Sequence, residues 1–354
     1  MWTLKKKKQI TSLGIDIGSK AIKIVELVKE KDRINLQNYG EIKLSAAKKE
    51  SFHYFDKKSL LPYSKNVSLA IKAVLEESQI ETKEAVLSLP DFSTFFASFV
   101  LPPMTAKELP DAVNFEAKKH IPIPFNDVVL DWELIGEKVN EKEGENKIIV
   151  MAIYKNLISE YKKIAEDCGL VLVSLEAEVM GLKRSIVGDD KDTICLVEAG
   201  YQSTTISIID QGFLLLSVSF DVAGKDYTYS ISEALNVALD EAEKKKMILG
   251  FACKDKKVVE AMDPIFNIIL DKIKQVISES EIKNPKVKKI ILVGGLANMP
   301  GLTERLKASL GELEVKRGDA FSDIFYPGEL KPLIPQISST FSIALGEALK
   351  RFKK

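Results

Sequence analysis

Leu13, Ile15 and Ile17 alternate with Gly14, Asp16 and Gly18. That period of two is the signature of a strand. Continued along the chain, the pattern predicts strands over about 12–18, 21–28 and 33–43, an antiparallel meander with Lys31-Asp32 at one turn. The period then changes. Val67, Ala70, Ile71, Val74 and Leu75 fall on one face of a helix over about 64–78. The apolar run Ala85–Leu89 reads as a buried strand, broken at Pro90-Asp91.

Residues from about 92 to 175 form a distinct block. A strand over 95–101 ends at Pro102-Pro103. Thr105, with Glu108 three residues on, fits a capping box that starts a helix running to about His120. The alternation Ile121-Pro122-Ile123-Pro124 stops it. Strands over 128–135 and 147–154 flank a charged hairpin loop, a helix over 156–168 ends at Gly169, and 171–175 closes the unit. Strand-helix-strand-strand-helix-strand is a compact α+β module.

A helix over 176–187 leads into a second meander with strands near 193–199, 203–210 and 213–222 and a turn at Asp210-Gln211-Gly212. The plan of the first meander thus recurs, which implies two related lobes. From Gly224 to about Asn284 the chain reads as helical. A charged helix covers 240–246, and Asp263-Pro264 opens a long helix striped by Ile268, Ile269, Ile273, Val276 and Ile277. A buried strand at 289–293 ends in Gly294-Gly295, and Pro300-Gly301-Leu302 starts a helix to about Leu310. A last helix spans 341–352.

The two meanders share a piece of chemistry. Asp16-Ile17-Gly18-Ser19 and Glu198-Ala199-Gly200 each place acid-x-Gly at the end of an apolar strand, before a tight polar turn. Successive backbone N–H groups in such a turn attract phosphate. Glycine lets the backbone approach a ligand closely. The carboxylate cannot bind phosphate itself, but it can hold a hydrated Mg²⁺ that does. Two such hairpins face to face would grip one nucleotide from both sides. Taken alone, Asp16 equally fits an Asp that caps its own turn. Ser19 could donate to a phosphate or serve the turn. Lys23 could reach a phosphate as a point charge or face solvent. Thr204 takes the matching place in the second hairpin. Gly294-Gly295 is a third candidate, where a base or sugar could lie against the backbone.

Composition narrows the partners. Lys+Arg and Asp+Glu both number 51, so no global field steers the chain onto nucleic acid. Cys168, Cys195 and Cys253 are far apart and, beside only His53 and His120, show no zinc-ligand spacing. They fit small buried hydrophobes in a reducing compartment. No apolar run approaches the roughly 18–20 residues of a membrane span. The N-terminus passes from Trp2 into Lys5–Lys8 without a signal-peptide core, so a cytoplasmic location is expected. That basic start fits either a solvated tail or a contact with an anionic membrane surface. Phosphate loops of the Gly-x-x-x-x-Gly-Lys-Ser/Thr kind, Gly-x-Gly-x-x-Gly turns and Gly-x-Ser-x-Gly elbows do not occur.

The hairpins at 16–18 and 198–204, Ala242-Glu243 with Lys246 on a helix, and Gly294-Gly295 resemble the phosphate 1, phosphate 2, nucleoside-contacting and adenosine motifs of the actin-like ATPase superfamily. Within it the chain is similar to the PilM family of type IV pilus assembly. The most specific likeness is Phe99–Met104 with Glu108-Leu109, then Phe115-Glu116-Ala117, Ile121-Pro122 and Val129-Leu130-Asp131-Trp132. The resemblance covers about residues 10–353. It implies an α/β actin-like ATPase fold of two duplicated, ribonuclease H-like lobes with an inserted SHS2-type 1C module. The subdomains would be 1A (9–91 and 176–190), 1C (92–175), 2A (191–224 and 286–354) and 2B (225–285).

It further implies ATP held by Asp16, Gly18, Ser19, Lys20, Lys23, Glu198, Gly200, Thr204, Gly224, Glu243, Lys246, Gly294 and Gly295, with Mg²⁺ on Asp16 and Glu198 through water. Glu178 is the one candidate for a catalytic role. The expected function is a cytoplasmic scaffold at the inner membrane. It would bind the N-terminal cytoplasmic tail of PilN near 95–101 and 105–120 and contact the pilus motor proteins, and it could self-associate. Two departures bear on turnover. Glu198 replaces the family's usual Asp, moving the carboxylate by more than about 1 Å, and Lys225-Asp226 follows Gly224 where many relatives carry a second glycine. Both predict tight nucleotide retention with at most slow hydrolysis. A relative of the cell-division protein FtsA and a small-molecule kinase on the same fold are the competing readings.

Overall fold

The computed structural model describes residues 10–352 except 44–60, 137, 138, 140, 143 and 283. The basic start with Trp2 and Lys5–Lys8, and His53, lie outside the described residues.

The first lobe is built on β1 (Ile10–Ile17), β2 (Ala21–Glu30), β3 (Arg33–Lys43), α1 (Ser64–Glu77) and β4 (Glu84–Leu89). The meander forms as its alternation predicts. Residues β5 (Thr94–Leu101), α2 (Leu109–His120), β6 (Val128–Leu134) and β7 (Asn146–Tyr154) then make a separate three-stranded sheet, ordered β5-β7-β6, with α2 packed on one face. The chain returns through α3 (Lys155–Asp167) and β8 (Val171–Ala177) to α4 (Glu178–Leu182), which continues as one π-helical turn over Lys183–Val187.

The second lobe follows: β9 (Ile194–Ala199), β10 (Thr204–Asp210), β11 (Phe213–Phe220), α5 (Gly224–Leu235), α6 (Leu239–Ile248), α7 (Lys256–Glu281), β12 (Lys289–Val293), α8 (Leu302–Leu310) and β13 (Glu314–Arg317). The short α9 (Ile334–Ile337) and α10 (Ser342–Leu349) end the described chain. The two large sheets have the same plan. Their orders are β3-β2-β1-β4-β8 and β11-β10-β9-β12-β13, each an antiparallel meander extended by two parallel strands. The duplication read from the meanders therefore extends to all five strands of each lobe.

Several expectations are corrected. The 171–175 strand does not close the inserted module. β8 pairs in parallel with β4, from Glu84 against Val171 to Leu89 against Ala177. The amphipathic α3 places Leu157, Tyr161, Ile164 and Ala165 against Val67 and Ile71 of α1, in the first lobe's core. The sheet and helix of the module thus span Thr94–Tyr154, inserted into a β-α-β crossover, and the block does not run on to 175.

The capping box forms only in part. Glu108 Oε2 accepts from the Thr105 amide (2.9 Å) and hydroxyl (2.8 Å), yet the α-helix begins at Leu109 with Pro110 in its first turn. The long helix starts at Lys256, where Asp255 caps the Lys257 amide (3.0 Å), and it runs through Pro264. Burial of Val258 and Met262 in the second lobe's core holds the turns ahead of the proline. The helical reading from Gly224 to about Asn284 is interrupted at Asn236, which is left-handed with φ +52°.

The last correction concerns α10, assigned above to the second lobe. Ala344, Leu345, Ala348 and Leu349 pack with Val25, Leu27 and Leu36 of the first. Gly14 makes this possible. A Cβ there would lie 1.9 Å from the Ala344 carbonyl oxygen, so the glycine seats a helix and not a ligand. No described helix is long and apolar enough to cross a membrane. Cys168 and Cys195 are buried in the lobes' cores.

Candidate functional site

The two acid-x-Gly hairpins face a single cleft of about 980 Å³ between the lobes. Their turns close identically. The Gly18 amide donates to the Ala21 carbonyl at 3.0 Å, and the Gly200 amide to the Ser203 carbonyl at 3.0 Å. These two N–H groups are thereby spent. The amides that follow them in each turn are the ones positioned by the closure. Ser19 lines the cleft beside Gly18, and Tyr201 beside Gly200.

Asp16 stands opposite Lys23 in the β1–β2 register, with Lys23 Nζ 3.3 Å from Asp16 Oδ2. Its Oδ1 is buried with no hydrogen-bond partner. Burial raises the Asp16 carboxyl above the ordinary range, against the pull of Lys23. Burial alone would lower Lys23, but the Asp16 and Glu41 carboxylates raise it, so the lysine is a paired cation and not a solvent-facing one. Glu198 is pushed up to about 8 by burial and by the nearby Asp16 charge, with Lys23 opposing.

Glu178 also lines the cleft, with Asp91 buried behind it. Asp91 and Glu178 cap each other's backbone: the Asp91 amide donates to Glu178 Oε2 (3.1 Å) and the Val179 amide to Asp91 Oδ1 (3.3 Å). Asp91 Oδ2 is buried without a partner. Burial pushes Asp91 up to about 7, and burial with the Asp91 charge holds Glu178 well above the carboxylate range. Lys23 is set against the charges of Asp16, Glu41 and Glu198, with Glu178 also lining the cleft, and a bound cation would relieve that excess of carboxyls. Among the described residues no three His, Cys, Asp or Glu side chains converge on one point as a protein-only metal cage. Mg²⁺ does not need one. It commonly takes one or two carboxylates, keeps its waters and adds substrate phosphates. The orphaned Asp16 Oδ1 fits that demand.

The second lobe supplies the far side. Lys246 is buried, and its ammonium donates to Gly224 O (2.8 Å), Thr228 Oγ1 (2.9 Å) and Glu243 Oε2 (2.7 Å). All three of its protons are used, so it orients Glu243 instead of reaching out. Burial lowers Lys246 to about 8, with Glu243 opposing. Glu243 is held down at about 2, against its burial, by Lys246, Lys20 and Thr228. Lys20 crosses from the first lobe to pair with Glu243 and lies 4.6 Å from the centroid of the Tyr201 ring.

Gly294, with φ +86°, turns the chain where a Cβ would lie 2.5 Å from Glu198 Oε1. It makes room for the longer acid of the second hairpin. A Cβ on Gly295 would meet nothing within 4 Å and would project into open space. Of the residues expected at the site, Asp16, Gly18, Ser19, Lys20, Lys23, Glu178, Glu198, Gly200, Glu243, Lys246, Gly294 and Gly295 line the cleft. Thr204 and Gly224 stand behind it. Thr204 Oγ1 ties β10 to the Val222 carbonyl (2.7 Å), and the Gly224 amide donates to Gly200 O (3.1 Å). Asp91 and Tyr201 were missed. Asp91 looks like a chain breaker beside Pro90, and nothing local in the sequence distinguishes Tyr201 from an ordinary turn residue.

Two duplicated lobes with one strand order, closed over a cleft between acid-x-Gly hairpins, define an actin-like ATPase fold. Residues 14–352 match the family described as type IV pilus assembly protein PilM. The chain belongs to that family. Similar solved structures include the PilM–PilN type IV pilus biogenesis complex, with a TM-score of 0.82 and 21% identity over 97% of this chain and 99% of that one. MreB5 of Spiroplasma citri bound to AMPPNP has a TM-score of 0.55 and 12% identity, covering 97% and 96% of the two chains. The cell-division protein FtsA of Staphylococcus epidermidis is 24% identical over 265 residues, 69% of this chain and 55% of that protein. The chain therefore spans about half the length of that relative.

Proposed function

We propose that this chain binds Mg-ATP in the interlobe cleft and acts as a scaffold of the type IV pilus machine at the cytoplasmic face of the inner membrane. The observation that carries the nucleotide reading is the pair of identically closed hairpins facing one cleft, with Asp16 Oδ1 buried and unpartnered between them. Since Gly18 and Gly200 spend their amides on the turns, the amides left to the phosphates are those of residues 19–20 and 201–202. Asp16 and Glu198 would hold Mg²⁺ through water, and the ion would screen the phosphates from the carboxyl floor. Gly295 leaves space for the nucleoside. The MreB5 structure of the same fold with AMPPNP supports this reading.

Turnover is slow in this account. Glu178 is the only expected candidate for a catalytic role at the cleft, and burial with the Asp91 charge raises its carboxyl, which disfavours the ionised form a general base needs.

The scaffold reading rests on the family and on the PilM–PilN complex, whose fold covers nearly all of this chain including the inserted module. The module carries exposed apolar side chains at Val100, Phe115 and Val129. Such positions supply anchors for an extended peptide, with main-chain hydrogen bonds adding affinity. The PilN tail would dock near Thr94–Leu101 and α2, and contacts to motor proteins would complete the link. A pull-down with a synthetic PilN N-terminal peptide, with and without Mg-ATP, tests this. Enrichment in either condition supports the scaffold, and no enrichment in both removes it.

A further inference from the structure

Of the three lysines expected at the site, two are paired inside their own lobe. Lys23 is held by Asp16 on the adjacent strand, and Lys246 by Gly224, Thr228 and Glu243. Lys20 alone of the three crosses the cleft. It sits in the β1–β2 turn of the first lobe, and both its partners belong to the second: the Glu243 carboxylate on α6 and the Tyr201 ring in the β9–β10 turn. We infer that Lys20 is a latch joining the lobes across the cleft, and that breaking its contacts to Glu243 and Tyr201 sets the rate at which nucleotide enters and leaves. The inference rests on the nucleotide reading above and gives one residue of that site a different role from the phosphate contact expected of it.

The far end of the latch is rigid. Glu243 Oε2 accepts from Lys246 (2.7 Å) and Thr228 (2.5 Å), while Lys20 takes the other oxygen. Lys246 is itself tied to the Gly224 carbonyl. The glutamate therefore cannot swing out to follow a departing Lys20. Parting the lobes must separate the pair, and both attractions fade quickly with distance. The pair is also partly withdrawn from water, with side-chain exposures of 24% for Lys20 and 20% for Glu243. That placement makes it stronger than an exposed surface pair. Glu243 stays ionised down to about pH 2, so the latch persists through the physiological range.

The latch has a kinetic signature that a phosphate ligand lacks. A latch slows entry and exit together, so removing it accelerates both and changes affinity less than either rate. A lysine that binds phosphate favours the bound state, so removing it slows uptake and costs more affinity for a triphosphate than for a diphosphate. The test is stopped-flow release and uptake of a fluorescent adenine diphosphate and triphosphate by wild type, Lys20→Met and Tyr201→Leu. Methionine keeps the length and apolar stem of lysine without its charge, and leucine removes only the ring from the turn.

Expected for Lys20→Met is release faster by about tenfold, the factor that 1.4 kcal/mol represents, with uptake faster as well. Tyr201→Leu shows a smaller change in the same direction. Added salt speeds release from wild type and has little effect on Lys20→Met. The latch is overturned if Lys20→Met slows uptake, or if both variants release nucleotide within about twofold of wild type. A wild type with no saturable signal for either nucleotide overturns the nucleotide reading and the latch with it. A wild type that binds normally while the variants fail to accelerate overturns the latch alone.

Discussion

Gly181 of α4 and Gly346 of α10 meet backbone to backbone: a Cβ on Gly346 would lie 2.0 Å from the Gly181 carbonyl oxygen. Arg184 fastens the same crossing through the Gly346 carbonyl (2.6 Å) and Glu176 (2.8 Å). Because the obstruction is backbone, rotamer changes cannot relieve it. Gly346→Ala should destabilise the protein by about 1–3 kcal/mol, the range for overpacked cores, or more. A lower urea midpoint with an unchanged m-value is the expected result.

The adjacent glycines 294 and 295 should separate stability from binding. Gly294 is left-handed, and its Cβ would press on Glu198 and the Ala199 carbonyl (2.6 Å). Gly294→Ala should cost about 1–3 kcal/mol of stability. Gly295→Ala adds a methyl to open space and should stay within about 0.5 kcal/mol of wild type. In the proposed binding mode that methyl intrudes on the space left for the nucleoside, so nucleotide affinity should fall several-fold. Denaturation and nucleotide titration of the two variants check the contrast.

The acid floor fixes a pH dependence. Glu198 and Asp91 bind protons more tightly in the folded chain, at about 8 and about 7, than in the unfolded one. Where the folded state holds more protons, stability falls as pH rises. Their contribution is complete below the unfolded carboxyl range and is lost progressively up to about pH 8. The nucleotide-free protein should therefore melt at a lower temperature at pH 8.5 than at pH 6. Glu198→Gln, which cannot ionise, should flatten that slope. Thermal melts across this range decide it.

Glu178 should tolerate neutralisation. Burial raises its carboxyl, and its Oε2 accepts a backbone amide. Glu178→Gln keeps that acceptor, so slow turnover by the isolated protein should change less than about tenfold, well short of the loss expected for a general base. A loss of a hundredfold or more, measured by phosphate release, would return Glu178 to catalysis.

Much of this was legible in the sequence because local pattern and final structure agree. The period of two in Leu13–Gly18 and the repeated acid-x-Gly turn were enough to predict both meanders and the hairpins at the cleft. What escaped depends on distant partners. Val171–Leu175 has the same strand pattern whether it joins β4 or closes the module, and the core on α1 and α3 decides. Phe341–Phe352 is apolar enough for either lobe; Gly14, over three hundred residues earlier, makes the seat it occupies. Asp91 and Tyr201 reached the site only because the fold carried ordinary turn residues there. The pairing of Lys20 with Glu243 links positions that no local spacing connects.

The central claim is that the cleft holds a magnesium nucleotide on Asp16. Isothermal titration of Mg-ATP into wild type and Asp16→Asn tests it most directly. The account predicts one site per chain in wild type, weakened by at least about tenfold in Asp16→Asn and by removal of Mg²⁺. No binding to wild type, or equal affinity in both proteins, would contradict it.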